Sequence, residues 1–134
     1  MYTYSQLEKK HKEIASNLET FKQKCASLIL ETRQCIVDKM EIPPEAACVQ
    51  INKDVNGDLE LDDEYSCDFE IVISFDNPEH EVVLEFRIVT ASTIAFKQHL
   101  YNIKTQVDYL IDAVGTHINK ELEIKDRQIS SRLY

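Results

Sequence analysis

Acidic side chains dominate the middle of this 134-residue chain. Between Asp54 and Phe86 there are twelve carboxylates and neither lysine nor arginine, whereas the other residues together carry 12 acids and 15 bases. The formal net charge of −9 therefore arises in one segment, since the remainder sums to +3. A field of one sign attracts a basic partner. The same charges can also serve only to keep loops and strand edges solvated and resistant to aggregation.

The carboxylates that the sequence pattern places in a loop or on a solvated strand face form a candidate docking surface, which we name the acidic surface. Its members are Asp58, Glu60, Asp62, Asp63, Glu64, Asp68, Glu70 and Glu85. We expect them to attract a partner over an area. Proton transfer is not expected, because acid–base catalysis also needs a concave, partly dry site.

A calcium-binding loop is an alternative for the first part of this segment. In residues 52–63, oxygen-bearing side chains fall at positions 1, 3, 5, 9 and 12 and Gly57 falls at position 6, as in an EF-hand. However, Asp63 replaces the bidentate glutamate, and a proline pair stands where the first helix of an EF-hand would be. Asn56-Gly57 is also typical of a type I′ turn. We therefore predict a hairpin tip here, with no metal and no other cofactor.

Other chemistry is not supported by the residue types and their spacing. The cysteines Cys25, Cys35, Cys48 and Cys67 form no C-x-x-C pair and lie at apolar positions, so we expect reduced, structural thiols. No histidine pair has the i, i+4 spacing of a helical metal site. With only 2 glycines, a glycine-rich phosphate loop and a dinucleotide fingerprint are excluded. We predict no enzyme and no catalytic residue.

The first element that positions the acidic segment is a long amphipathic helix. Apolar residues from Leu7 to Cys35 alternate at spacings of four and three, which predicts a helix over 5–41. Ser5 and Glu8 have the form of a capping box, and a proline pair follows the helix. Such a helix is about 54 Å long, longer than a domain of this size is wide. Part of it must project or pair with something.

A second long helix is predicted near the C-terminus. Apolar residues from Phe96 onward repeat the same spacing, which favours a helix over 92–125 capped by Ser92 or Thr93. Residues 126–134 show no clear period, so we predict that they fray.

Between the helices the hydrophobic period changes to two, which predicts a sheet over 46–90. Its strands are expected at 47–51, 65–75 and 82–89. The segment Asp76–His80 has the composition of a turn between the last two strands.

The predicted fold is therefore a single α+β domain over 1–134 with the order α-β-β-β-α. A three-stranded antiparallel meander packs on two long amphipathic helices. This order resembles that of small dimeric nucleoid-associated proteins, in topology alone, and the resemblance implies a nucleic-acid-binding dimer. The long apolar seams exceed what three strands can cover, so we expect a homodimer.

The leading hypothesis for function is a non-enzymatic binding protein that docks a basic protein partner through the acidic surface. An inhibitor, an immunity or antitoxin-like protein, a chaperone and a mimic of nucleic-acid charge all fit that description. The alternative is a helical assembly module whose acidity serves only solubility. Nucleic acid is disfavoured as a ligand because the sheet would repel phosphates. We expect a cytoplasmic protein without membrane contact, because the sequence has neither a secretory signal nor a long apolar stretch.

Overall fold

The computed structural model describes residues 1–43, 48–53, 55, 59–75 and 81–133. Its elements are α1 Tyr4–Lys39, β1 Cys48–Ile51, β2 Asp68–Ser74, β3 Glu81–Thr90, β4 Thr93–Phe96, β5 His99–Asn102 and α2 Val107–Ser130. The strands form one antiparallel sheet in the order β1-β2-β3-β4-β5. The predicted α+β class is confirmed, but the meander has five strands where three were predicted.

Helix α1 matches its predicted bounds to within two residues at each end. Its N-cap, however, is Thr3 and not Ser5. The Thr3 hydroxyl accepts a hydrogen bond from the Gln6 amide at 3.3 Å, and the Gln6 side chain accepts one from the Thr3 amide at 3.0 Å. This capping box satisfies amides that the first turn leaves without partners. At the other end Glu41, with φ 55°, turns the chain out of the helix.

The predicted second helix over 92–125 is wrong in its first part. Thr93–Phe96 and His99–Asn102 are strands, and α2 begins only at Val107, after the N-cap Gln106. At the other end the helix continues to Ser130, where fraying was predicted from residue 126. The seam was misleading because Phe96, Leu100 and Ile103 have helical spacing by coincidence: Phe96 and Ile103 are buried, whereas Leu100 is 60% exposed. The β-branched and aromatic content of the segment favours strand.

The turn between β4 and β5 explains why the hairpin carried no recognisable signal. Lys97 and Gln98 have φ angles of 51° and 69°, the left-handed conformation that a two-residue type I′ turn requires at both positions. Asparagine and glycine are the usual residues there, because a Cβ makes this region unfavourable. The hairpin is therefore closed by two residues for which the left-handed conformation is unfavourable.

The core lies between one face of the sheet and both helices. Phe69, Phe86 and Phe96, on three neighbouring strands, stack with ring centroids 5.1 and 5.0 Å apart. The helices contribute Cys25, Leu28, Ile29, Thr32 and Ile36 from α1 and Leu110, Val114 and Ile118 from α2. The described residues thus form two layers, and none of their helices lies on the opposite face of the sheet, which we name the open face.

Side chains cover a backbone group at each edge of the sheet. Arg33 of α1 donates from Nε to the Val49 carbonyl on β1 at 2.9 Å. At the other edge the Asn102 amide donates to the Gln106 side chain at 2.9 Å, and the Gln106 amide donates to the Asn102 carbonyl at 2.8 Å. Covered edges disfavour pairing with a strand of another chain. Each edge is therefore partly protected against such pairing.

The β4–β5 turn gives a test of this fold against the predicted helix. Gln98→Gly should raise the free energy of unfolding by about 0.5 kcal/mol, because glycine removes a left-handed penalty of about 1–2 kcal/mol and adds back a smaller entropy cost. Gln23→Gly, at an exposed site inside α1, should lower it by about 1 kcal/mol. Chemical denaturation measures both. A loss of stability in both variants would contradict the hairpin.

Candidate functional site

The open face brings the strand members of the acidic surface together. In the β2–β3 register Asp68 lies opposite Arg87 and Glu70 lies opposite Glu85. Glu85 is exposed and Glu70 is half-buried, and neither side-chain carboxylate has an ion pair or a hydrogen-bond partner among the described residues. Like charges directly opposite each other destabilise a sheet. The centre of the open face thus holds two carboxylates that repel one another.

These residues line a shallow groove of about 450 Å³ across the open face. Its walls include Asp68, Glu70, Glu85 and Arg87, together with Ala95 of β4 and Lys97 of the β4–β5 turn. The site is therefore mixed at its rim, with one cation on β3 and a second on the turn. Only the middle of the groove is purely anionic.

Arg87 organises the neighbouring carboxylates. Its Nη2 lies 2.7 Å from Asp62 and 3.3 Å from Glu64, and its Nη1 lies 3.1 Å from Asp68. The hydrogen bonds that the guanidinium donates to Asp62 and then to Asp68 raise its pKa. The sequence analysis did not identify this role of Arg87, because Asp62 and Glu64 reach it through a loop whose path the strand pattern does not specify.

Asp62 is held within its own turn. One carboxylate oxygen accepts from the amides of Glu64 at 2.9 Å and Ser66 at 3.0 Å, and the other accepts from Arg87. The hydrogen bond from Arg87, followed by that from the Ser66 amide, lowers the pKa of Asp62. The Ser66 hydroxyl in turn donates to the Ile88 carbonyl on β3. A carboxylate with this many partners fixes the loop against the sheet and has little capacity left for a ligand.

The remaining members of the acidic surface differ in their availability. Glu60 and Asp63 are exposed in the loop, and the Glu64 side chain is 84% exposed although it touches Arg87. Asp58 and the predicted hairpin tip at Asn56-Gly57 lie outside the described residues. The carboxylates least engaged with their own chain are thus Glu60, Asp63, Glu70 and Glu85.

The described thiols are buried or half-buried. Burial, and then the nearby Cys67, raises the pKa of Cys25 to about 11, and burial also raises the pKa values of Cys67 and Cys35. These three are free cysteines that stay protonated at neutral pH, when a thiol is a weak nucleophile. The side chain of Cys48 lies outside the described residues. Within the described ranges, no three histidine, cysteine or acidic side chains are grouped as a metal site would need.

A second cavity, of about 530 Å³, lies between β5 and α2. His117 on its wall meets the edge of the Phe96 ring at a centroid distance of 5.9 Å. Burial, and then Lys97, lowers the pKa of this histidine. His117 is therefore a packing residue at the margin of the core.

No protein-family model, curated protein or solved structure matches this chain. The described part of the chain includes no helix that is both long and apolar enough to cross a bilayer. The five-stranded order also departs from the three-strand order on which the resemblance to nucleoid-associated proteins depends. Function is therefore inferred from the surfaces of the chain alone.

The Asp62–Arg87 contact predicts a pH-dependent stability. Because the pKa of Asp62 is lower in the folded chain, its ionised form stabilises the fold above its ordinary pKa of about 3.9, and this contribution is lost as the pH falls through the lowered value. Asp62→Asn should therefore reduce the melting temperature at pH 7, and the difference from wild type should shrink towards zero in strong acid. Asp63→Asn, an exposed neighbour, is the control. Coincident melting curves for wild type and Asp62→Asn at neutral pH would contradict the structural role of Asp62.

The thiols give a second prediction, on reactivity. Half-buried Cys35 should be alkylated by iodoacetamide in the native protein faster than Cys25 and Cys67, which are 0% and 3% exposed. Both buried thiols should react at full speed only after denaturation, because a buried and protonated thiol is unreactive. Peptide mass spectrometry over a time course measures each site separately. Rapid native labelling of Cys25 would show that the helix–sheet core opens readily.

Proposed function

We propose that this chain is a small, acidic, non-enzymatic binding protein that docks a basic protein partner through the acidic surface. The observation that carries the proposal is the pair Glu70 and Glu85, directly opposed on the open face. Repulsion between them destabilises the free protein. A cation placed between them turns that repulsion into attraction, so a basic partner offsets a penalty that the free chain bears.

The surroundings of this pair support a protein as the ligand. The groove is open along the sheet, and Arg87 and Lys97 at its rim supply positive charge next to the anionic centre. Complementary charge of this kind mainly accelerates association and sets specificity. Its reach is about 8 Å at physiological ionic strength, so binding should weaken steeply with salt. The carboxylates in the middle of the groove would repel phosphates, which makes nucleic acid a poor occupant.

A second candidate is a helical assembly module, favoured by one observation on α1. None of its residues before Cys25 is buried, and Leu7 and Ile14 are 52% and 57% exposed. An apolar stripe of this spacing is typical of a helix that pairs with another helix. We therefore also propose a homodimer. The cytoplasm is proposed as its location on the sequence argument alone. The two candidates are compatible, and in the pure assembly case the acidity serves only solubility.

The docking proposal predicts opposite effects on stability and binding. Glu70→Gln/Glu85→Gln should raise the free energy of unfolding by a few tenths of a kcal/mol, since the like-charge pair is removed. The same variant should associate several-fold more slowly with a synthetic lysine-rich peptide, and its association rate should depend less on salt. Stopped-flow fluorescence with a labelled peptide, over a series of salt concentrations, measures the rate.

The matched control is Glu121→Gln/Glu123→Gln on α2, which changes the net charge equally but away from the open face. It should associate almost as fast as wild type. Equal slowing in both double variants would mean that net charge alone attracts the peptide. Unchanged association in both would leave the acidity as a solubility device and make assembly the remaining function.

A further inference from the structure

The first half of α1 carries an apolar stripe that the chain covers only in part, at the end nearer the sheet, where Phe21 packs against the core. We name Tyr4–Lys24 the projecting half. Its stripe consists of Tyr4, Leu7, His11, Ile14, Leu18 and Phe21. Tyr4 is 79% exposed, and Leu18 and Phe21, nearer the sheet, are half-buried. The projecting half is about 30 Å long at 1.5 Å per residue, which is enough for three heptads.

The same stripe continues along the second half of α1, where its residues are buried. Beyond Lys24 it becomes Cys25, Leu28, Ile29, Thr32 and Ile36, all buried in the core with the sheet. At about 100° of rotation per residue, the mean directions of the exposed and buried sets differ by only about 15°. The exposed stripe therefore faces the side of α1 on which the sheet lies.

This direction restricts how a second helix can pack. Paired helices lie about 8–10 Å apart, so a helix on the exposed stripe occupies the layer that the sheet fills further along α1. A second copy running parallel would have to continue straight into that sheet. A second copy running antiparallel leaves instead past Tyr4, where α1 begins, and meets none of the described strands there.

We propose that a second copy of this chain pairs with the projecting half in the antiparallel sense, so that the two sheets stand at opposite ends of the paired helices. This inference rests on the homodimer proposed above and specifies its interface. Aligning the stripes over their full common length places Tyr4 opposite the partner's Phe21 and Leu7 opposite the partner's Leu18. His11 then lies opposite the partner's Ile14, and the same three layers recur through the two-fold axis.

The charges beside the stripe agree with this alignment. Lys10 then lies near the partner's Asn17 and Glu8 near the partner's Ala15, so no like charges oppose each other. Sliding the helices by one heptad towards the sheets would place Lys10 near the partner's Lys24. It would also require Cys25, which is 0% exposed in its own core. The full-length alignment is therefore the one that satisfies both charge and burial.

Disulfide trapping distinguishes the two orientations. An equimolar mixture of Leu7→Cys and Leu18→Cys chains, oxidised mildly, should give a cross-link between positions 7 and 18, identified by peptide mass spectrometry. Leu7→Cys alone should give no link between its two copies, because position 7 meets its own counterpart only in a parallel pair. Lys9→Cys, on the exposed side of α1, is the control and should not cross-link in either orientation.

Light scattering on the unmodified chain separates failure of the orientation from failure of the dimer. A mass of twice 15.6 kDa together with the 7–18 link is the expected result. A dimer in which Leu7→Cys links to itself would overturn the antiparallel arrangement and leave the homodimer standing. A mass of 15.6 kDa at micromolar concentration would overturn both.

A second variant tests whether the stripe itself holds the dimer. Ile14→Lys should weaken self-association at least a hundredfold, because it places a charge in the central layers. The sheet core should still melt cooperatively, since Ile14 is not among its residues. Glu13→Lys, beside the stripe and exposed, is the control and should leave the dimer intact. Equal dimer stability in both variants would place the interface elsewhere and overturn the proposal.

Discussion

The sheet buries only one of its faces, and the stack of Phe69, Phe86 and Phe96 across that face fixes the rest of the molecule. Because these rings point towards the helices, the residues directly before and after each ring on its strand must point away. Glu70 and Glu85 follow and precede two of the stacked rings. The same strand register that aligns the aromatic rings therefore places the two carboxylates opposite each other. A change of register that separated them would also remove the rings from the core.

The one-sided core also decides how α1 is used. A five-stranded face is covered by the last part of α1 together with α2, whose buried residues end at Ile118. The earlier part of α1 has the same spacing of apolar residues but no sheet beneath it. One continuous pattern of apolar residues in α1 thus supplies two surfaces. The sheet covers the later residues of the pattern, which belong to the core, and is too short to cover the earlier ones, which stay exposed.

Sequence reasoning succeeded where a single period was unambiguous. It predicted α1 and the facing of Asp68 and Glu70 opposite the core, because their neighbours alternate cleanly over many residues. It failed at the β4–β5 hairpin because Phe96, Leu100 and Ile103 have helical spacing, although Leu100 is exposed in the structure. In addition, Lys97 and Gln98 carry none of the usual turn chemistry. It also could not foresee Asp62 as a turn residue, since that role depends on where the loop meets Arg87, 25 positions further along the chain.

The two proposed interaction surfaces do not compete for the same side chains. The edges of the sheet are partly covered by Arg33 and Gln106, the stripe on α1 faces the layer of the sheet, and the open face points away from both helices. In an antiparallel dimer two open faces therefore remain free, related by the two-fold axis and separated by at least the projecting half of α1. A basic partner long enough to reach both would bind the second at high effective concentration. The overall affinity of such a partner then exceeds the affinity of either groove alone. The helical dimer would in this way compensate for the weakness of each electrostatic site.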